Sequence, residues 1–126
     1  MMTRSNPFLL AAAALAAGLL ATPELALAHA KLKSSSPAAN AKVPASLKTI
    51  RLEFSEAVAP EQSKFELDDG SGTAVLTTTG KDACVKATCK LTVPALKADK
   101  YTLKYHVLSA DDGHVVESSF SFTVTG

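Results

Sequence analysis

Tyr101, Leu103, Tyr105 and Val107 alternate with Thr102, Lys104 and His106, a period of two held over an unbroken stretch of chain. Only an extended strand puts such a set on one face; a helix would scatter these apolar side chains around its circumference. The same period recurs where Ile50, Leu52 and Phe54 alternate with Thr49, Arg51 and Glu53. It returns at Phe65 and Leu67, and at Phe120, Phe122 and Val124. Val75-Leu76 and Leu91-Thr92-Val93 are shorter candidates, punctuated by Pro44, Pro94 and the turn signal Asp68-Asp69-Gly70-Ser71-Gly72. Pro94 to Lys100 reads as a loop, being too short for a helix and running straight into the Tyr101 strand. About seven short strands with polar turns predict an all-β fold, an immunoglobulin-like Greek-key sandwich or barrel.

The first residues do not belong to that pattern. Arg4 gives a positive start, Phe8 to Leu20 is an apolar run, and Ala26-Leu27-Ala28 is the small-x-small pattern at which export leaders are cut. The run is shorter than the roughly 20 residues a spanning helix needs. Residues 1–28 are therefore expected to be a signal peptide, which makes the mature protein periplasmic. Removing 28 of 126 residues leaves 98, His29 to Gly126, as one domain.

Cleavage takes away one base, Arg4, and one acid, Glu24, so the net charge stays at +1. No basic stripe remains to meet nucleic acid. No second long apolar run remains to enter a membrane, and a monomer is expected. Both methionines, Met1 and Met2, leave with the leader, so the mature chain holds no thioether.

Cleavage after Ala28 would also create a ligand. His29 would then carry a free α-amine beside its imidazole, and the amine nitrogen and ring Nδ1 can chelate one metal ion. The amine has an intrinsic pKa of about 7.7–8.0, so the proton to be displaced is weakly held at neutral pH. A second candidate is Asp111-Asp112-Gly113-His114, between the last two long strands, which sets a carboxylate and an imidazole on a tight turn. Nitrogen and oxygen donors of this kind suit Cu(II). Each feature also has a plain explanation: a leader that happens to end before histidine, and a solvated hairpin turn.

A wider pattern joins the two. His29-Ala30-Lys31-Leu32, Ser36-Pro37-Ala38-Ala39-Asn40, Ile50-Arg51-Leu52-Glu53-Phe54-Ser55-Glu56 and Tyr101-Thr102-Leu103-Lys104-Tyr105-His106-Val107 appear in this order. Ser109, Asp112-Gly113-His114 and Phe120-Ser121-Phe122-Thr123-Val124 follow them. In this order and spacing the chain resembles the CopC-type family of periplasmic copper-binding proteins. The resemblance implies a Cu(II) site made by the amine and imidazole of His29 with Asp112 and His114. It further implies a carrier or buffer in copper resistance or homeostasis, not an enzyme, that exchanges copper with an inner-membrane transport protein.

The chain departs from the family in places. Its turn is one residue longer, so Asp111 competes with Asp112 for the carboxylate role, and Asp112 keeps the Asp-Gly-His register. Tyr105 stands where many members have Trp, Ala98-Asp99 where Pro-Gly is common, and Ser118 where a Gly is common. Without methionine, the Met-rich Cu(I) site of some members cannot form.

Cys84 and Cys89 read first as a disulfide in an exported protein, with a thiolate pair for Cu(I) as the sharper alternative. His106 faces away from Tyr105 and Val107, as a surface residue or as outer support for the copper site. Glu53 and Glu56 read as a solvated face. A triad of Ser109, Asp112 and His114 is rejected, since all three share one turn with no oxyanion hole. Two other functions compete. A copper monooxygenase of the histidine-brace kind would also use His29 but would need an open equatorial position. A structural sandwich domain would bind copper weakly.

Overall fold

A computed structural model describes residues 30–126; residues 1–28, the expected signal peptide, and His29 lie outside the described residues. The strands are β1 (Leu32–Ser36), β2 (Lys42–Pro44), β3 (Thr49–Phe54), β4 (Lys64–Asp68), β5 (Ala74–Thr79), β6 (Cys84–Val85), β7 (Thr88–Thr92), β8 (Asp99–Leu108) and β9 (Val115–Thr125). They form two sheets, a four-stranded one in the order β1-β3-β7-β6 and a five-stranded one in the order β2-β9-β8-β4-β5. The connections β3–β4, β5–β6 and β7–β8 each cross from one sheet to the other. The result is the expected all-β sandwich, with nine strands among the described residues in place of about seven. The extra ones are short: β2 has three residues and β6 two.

The alternating residues do what their period requires. Ile50, Leu52 and Phe54 of β3 and Tyr101, Leu103, Tyr105 and Val107 of β8 are buried, facing each other across the sandwich with Phe65, Leu67, Leu91, Phe122 and Val124. Burial of a Leu or Phe side chain contributes about 1.5–3 kcal/mol, so this set dominates the fold's stability. Tyr105 meets the ring of Phe54 edge-on from the opposite sheet, with centroids 5.7 Å apart. Tyr105 thus fills this part of the core between the sheets. Tyr101 stacks on Phe122, and its hydroxyl donates to the Lys97 carbonyl at 2.8 Å, which satisfies the buried phenol.

Residues 94–98 form a loop as expected, and β8 begins at Asp99. Cys84 and Cys89 face each other directly in the β6–β7 pairing and are joined as a disulfide. Their Cα atoms stand 4.0 Å apart, closer than the usual 4.4–6.8 Å, because the pair spans directly opposed positions of one short antiparallel ladder. The bond leaves no thiolate for Cu(I). Among the described residues no helix is long and apolar enough to cross a membrane.

Candidate metal centre

The β8–β9 hairpin is the longest pairing in the molecule, running in register from Asp99↔Val124 to Leu108↔Val115. Its loop, Ser109 to His114, carries both late candidates. The loop closes on itself through two backbone hydrogen bonds. Ser109 N–H donates to the His114 carbonyl, and Gly113 N–H donates to the Ser109 carbonyl, each at 2.9 Å. Gly113 has φ of 72°, a left-handed conformation that most residues resist and that lets the chain reverse just before His114.

That reversal brings Asp112 and His114 together. Asp112 Oδ1 accepts the backbone N–H of His114 at 3.0 Å, and Oδ2 lies 2.9 Å from His114 Nδ1. An ionised carboxylate can only accept, so Nδ1 carries the shared proton. The Asp112 carboxyl is lowered from its ordinary 3.8 to about 2, chiefly by the hydrogen bond from the His114 ring and next by the His114 backbone N–H. Ring charge and the Ser109 hydroxyl lower it further, against the opposing effect of partial burial. Asp111 is exposed, and no hydrogen bond or ion pair ties its carboxylate to the described residues.

The spacing matters for metal chemistry. With metal–ligand bonds of about 2.0 Å, two neighbouring donors in a square plane stand about 2.8 Å apart. Nδ1 and Oδ2 are already 2.9 Å apart. A metal ion replacing the shared proton would find both donors within reach, with the ring turning so that its lone pair points to the ion and not to the carboxylate.

The turn is also tied to the beginning of the described chain. Ala30 is completely buried. The next residue, Lys31, donates its N–H to Ser55 Oγ at 2.8 Å and accepts the Ser55 N–H at 2.6 Å. From Ser55 the chain runs directly along the loop: Ala110 N–H donates to Ala57 O, Ala59 N–H donates to Leu108 O, and Val58 bridges Ser109. Ser63 braces the same junction, its hydroxyl donating to Ala59 O at 2.7 Å and accepting from Leu108 N–H at 3.2 Å. Residues 55–59 thus connect the anchored start of β1 with the Asp112–His114 turn. On the other side, Phe54 and Val58 donate to the Ala87 and Lys86 carbonyls, lashing the disulfide-closed β6–β7 hairpin to this end of the sandwich.

A CopC domain profile matches residues 32–125. The chain belongs to the CopC domain family. Protein YobA of Escherichia coli (strain K12) is 35% identical over 108 residues, covering 83% of this chain and 85% of the relative. Protein YobA of Shigella flexneri matches to the same extent. Among solved structures, the crystal structure of CopC from Methylosinus trichosporium OB3b is 35% identical with a TM-score of 0.67, covering 76% of this chain and 93% of that one.

On this CopC-family sandwich the other candidates fall elsewhere. His106 lies on the outer face of the five-stranded sheet, its Nδ1 3.0 Å from Glu117 Oε2 and not hydrogen-bonded to the turn. Glu53 accepts the Thr88 hydroxyl and faces Arg51, so it is part of a surface network. Among the described residues no group of three or more His, Cys, Asp or Glu side chains converges. The predicted third contributor, His29, lies outside the described residues, one position before the buried Ala30. Sequence reasoning did not find the 55–59 segment, whose Ala-Val-Ala run carries no chemical signature and acts through its backbone.

Proposed function

We propose that this protein is a periplasmic Cu(II) carrier or buffer whose site is completed by its own processing. Cleavage after Ala28 gives His29 an α-amine, which binds Cu(II) together with its imidazole Nδ1. Asp112 and His114 supply the remaining carboxylate and imidazole. Three nitrogens and one oxygen in a plane are the set a tetragonal Cu(II) ion prefers.

The observation that carries this reading is the Asp112–His114 pair, held at the spacing of two adjacent ligands in a turn braced against the anchored start of β1. Membership of the CopC domain family supports copper as the cargo. Because the carboxylate would occupy an equatorial position, the arrangement favours holding copper over activating oxygen at it. Release to an inner-membrane copper transporter completes the proposed role.

The test is an EPR-monitored Cu(II) titration of protein beginning at His29, beside protein carrying one extra N-terminal residue that turns the α-amine into an amide. The first is expected to take one Cu(II) with a nitrogen-rich tetragonal spectrum, and the second to bind far more weakly. Equal binding by both would remove His29 from the site and end this reading.

A further inference from the structure

A strand at the edge of a sheet offers unpaired backbone N–H and C=O groups to any other strand, and folded proteins blunt such edges with short length, charge, bulges or proline. Most free edges of this sandwich are blunted in these ways. β1 carries Lys33, slips register against β3 between Leu32 and Ser34, and runs into Pro37. β2 has three residues, opening on Lys42 and ending on Pro44, and β6 has two. The stretches of β7 and β9 that these short strands leave uncovered carry Lys90 and Glu117. β5 is the exception. It closes the five-stranded sheet with six residues, Ala-Val-Leu-Thr-Thr-Thr, holding neither charge nor proline. Its one irregularity lies at its start, where Val75 is an extra residue between the pairs Asp68↔Ala74 and Leu67↔Leu76.

The direction of its backbone groups follows from the ladder. Gly80 N–H donates to the Ser63 carbonyl at 2.8 Å, just beyond the last β4–β5 pair. Bonded and non-bonded pairs alternate along an antiparallel ladder. Thr78 and Leu76 therefore turn their N–H and C=O groups toward β4, while Thr77 and Thr79 turn theirs outward. At the far end Asp69 N–H donates to the Thr73 carbonyl, which agrees with this phase once Val75 is counted as extra. The strand that fits such an edge is extended, uncharged and β-branched, and β5 itself has those properties.

We propose that β5 is a self-association edge, on which two copies of the chain pair antiparallel about a two-fold axis at Thr77 and join their five-stranded sheets into one. Thr77 exchanges both backbone hydrogen bonds with Thr77 of the second copy, and Thr79 lies opposite Val75. Pairs of β-branched residues are among the favourable cross-strand neighbours. No like charges meet across the seam, and the two-fold sets the Lys64 end of each β4 toward the Asp69 end of the other. On the inner side Leu76 of one copy faces Thr78 of the other. There a groove of about 180 Å³ between β5 and the β6–β7 hairpin is lined by Leu76, Thr78 and Leu91, together with the exposed acid Asp82 and the exposed base Lys90. The contact is small, so the single chain expected from the sequence is its dilute state. This pairing is independent of the copper reading.

Sedimentation equilibrium of protein beginning at His29 tests the proposal. The average mass is expected to rise from one chain at about 10 μM toward two at about 1 mM, the range of a small, weak interface. Thr77→Lys sets two cations face to face on the axis and is expected to remain a single chain throughout, with its melting temperature and Cu(II) binding unchanged. Thr77→Cys is expected to form an intermolecular disulfide on oxidation. Directly bonded antiparallel residues stand about 5.5 Å apart at Cα, inside the range of about 4.4–6.8 Å that a disulfide spans. Ser34→Cys, exposed on the blunted β1 edge, is expected to crosslink far more slowly at the same concentration. Crosslinking decides the matter even if the lysine variant folds poorly. A mass of one chain at every concentration, or crosslinking no faster at position 77 than at position 34, would overturn the proposal. A pair that survives Thr77→Lys would place the contact on another surface and overturn it equally.

Discussion

Two histidine–carboxylate pairs occupy the β8–β9 hairpin, and they have nearly the same contact. His106 Nδ1 stands 3.0 Å from Glu117 Oε2 on the flat of the sheet, and His114 Nδ1 stands 2.9 Å from Asp112 Oδ2 in the loop. Their surroundings differ. Glu117 is 71% exposed on a flexible side chain, and Lys64 of β4 is paired opposite His106. Asp112 is 29% exposed on a short side chain, gripped by a backbone N–H across a left-handed glycine. The sheet pair is an exposed contact of the kind that contributes about 0–1 kcal/mol. The loop pair is held in place by its own turn, the preorganisation that a binding site needs and an exposed surface contact lacks.

The sharpest way to break this comparison is to delete each histidine in turn. His114→Ala is expected to cost more than about a hundredfold in Cu(II) affinity, since losing residues that merely support a metal site already costs about 10–100-fold. His106→Ala is expected to stay within about twofold, as an exposed pair remote from the ligands should. Isothermal titration with a competing chelator reads both. Equal losses would put His106 in the site.

Next in size is the disulfide, which holds its hairpin covalently where the loop relies on hydrogen bonds. Replacing Cys84 and Cys89 with serine opens a loop of six residues, worth about 2 kcal/mol by chain entropy. The melting temperature is expected to fall by roughly 8–16 °C. Copper stoichiometry should remain at one, because neither sulfur belongs to the proposed donor set.

The smallest expected effect is in acid. Asp112 has a folded pKa of about 2 against an ordinary 3.8, so its pairing stabilises the metal-free fold fully above about pH 4 and loses that contribution as pH falls toward 2. Asp112→Asn is expected to flatten the melting curve's dependence on pH across that window. Asp111→Asn is expected to leave it unchanged, and a reversal of the two would shift the ligand assignment to Asp111.

Much of this architecture was legible in the residues because burial on one face imposes a period of two. Ile50-Leu52-Phe54 and Tyr101-Leu103-Tyr105-Val107 announced both halves of the core, and Asp112-Gly113-His114 announced the loop. Strand β2, Lys42–Pro44, was not legible, since three residues carry no period and its parallel pairing with Lys42↔Thr123 to Pro44↔Thr125 is a tertiary choice. Strand β1, Leu-Lys-Ser-Ser-Ser, is mostly polar and held by its ladder to β3.

The proposed copper site is tested most directly by counting imidazoles on the bound ion with pulsed EPR, using protein that begins at His29. Two are expected in the wild type, one in His114→Ala and two in His106→Ala. Two imidazoles surviving in His114→Ala, or a single one in the wild type, would contradict a centre built from the chain's first residue and the β8–β9 turn.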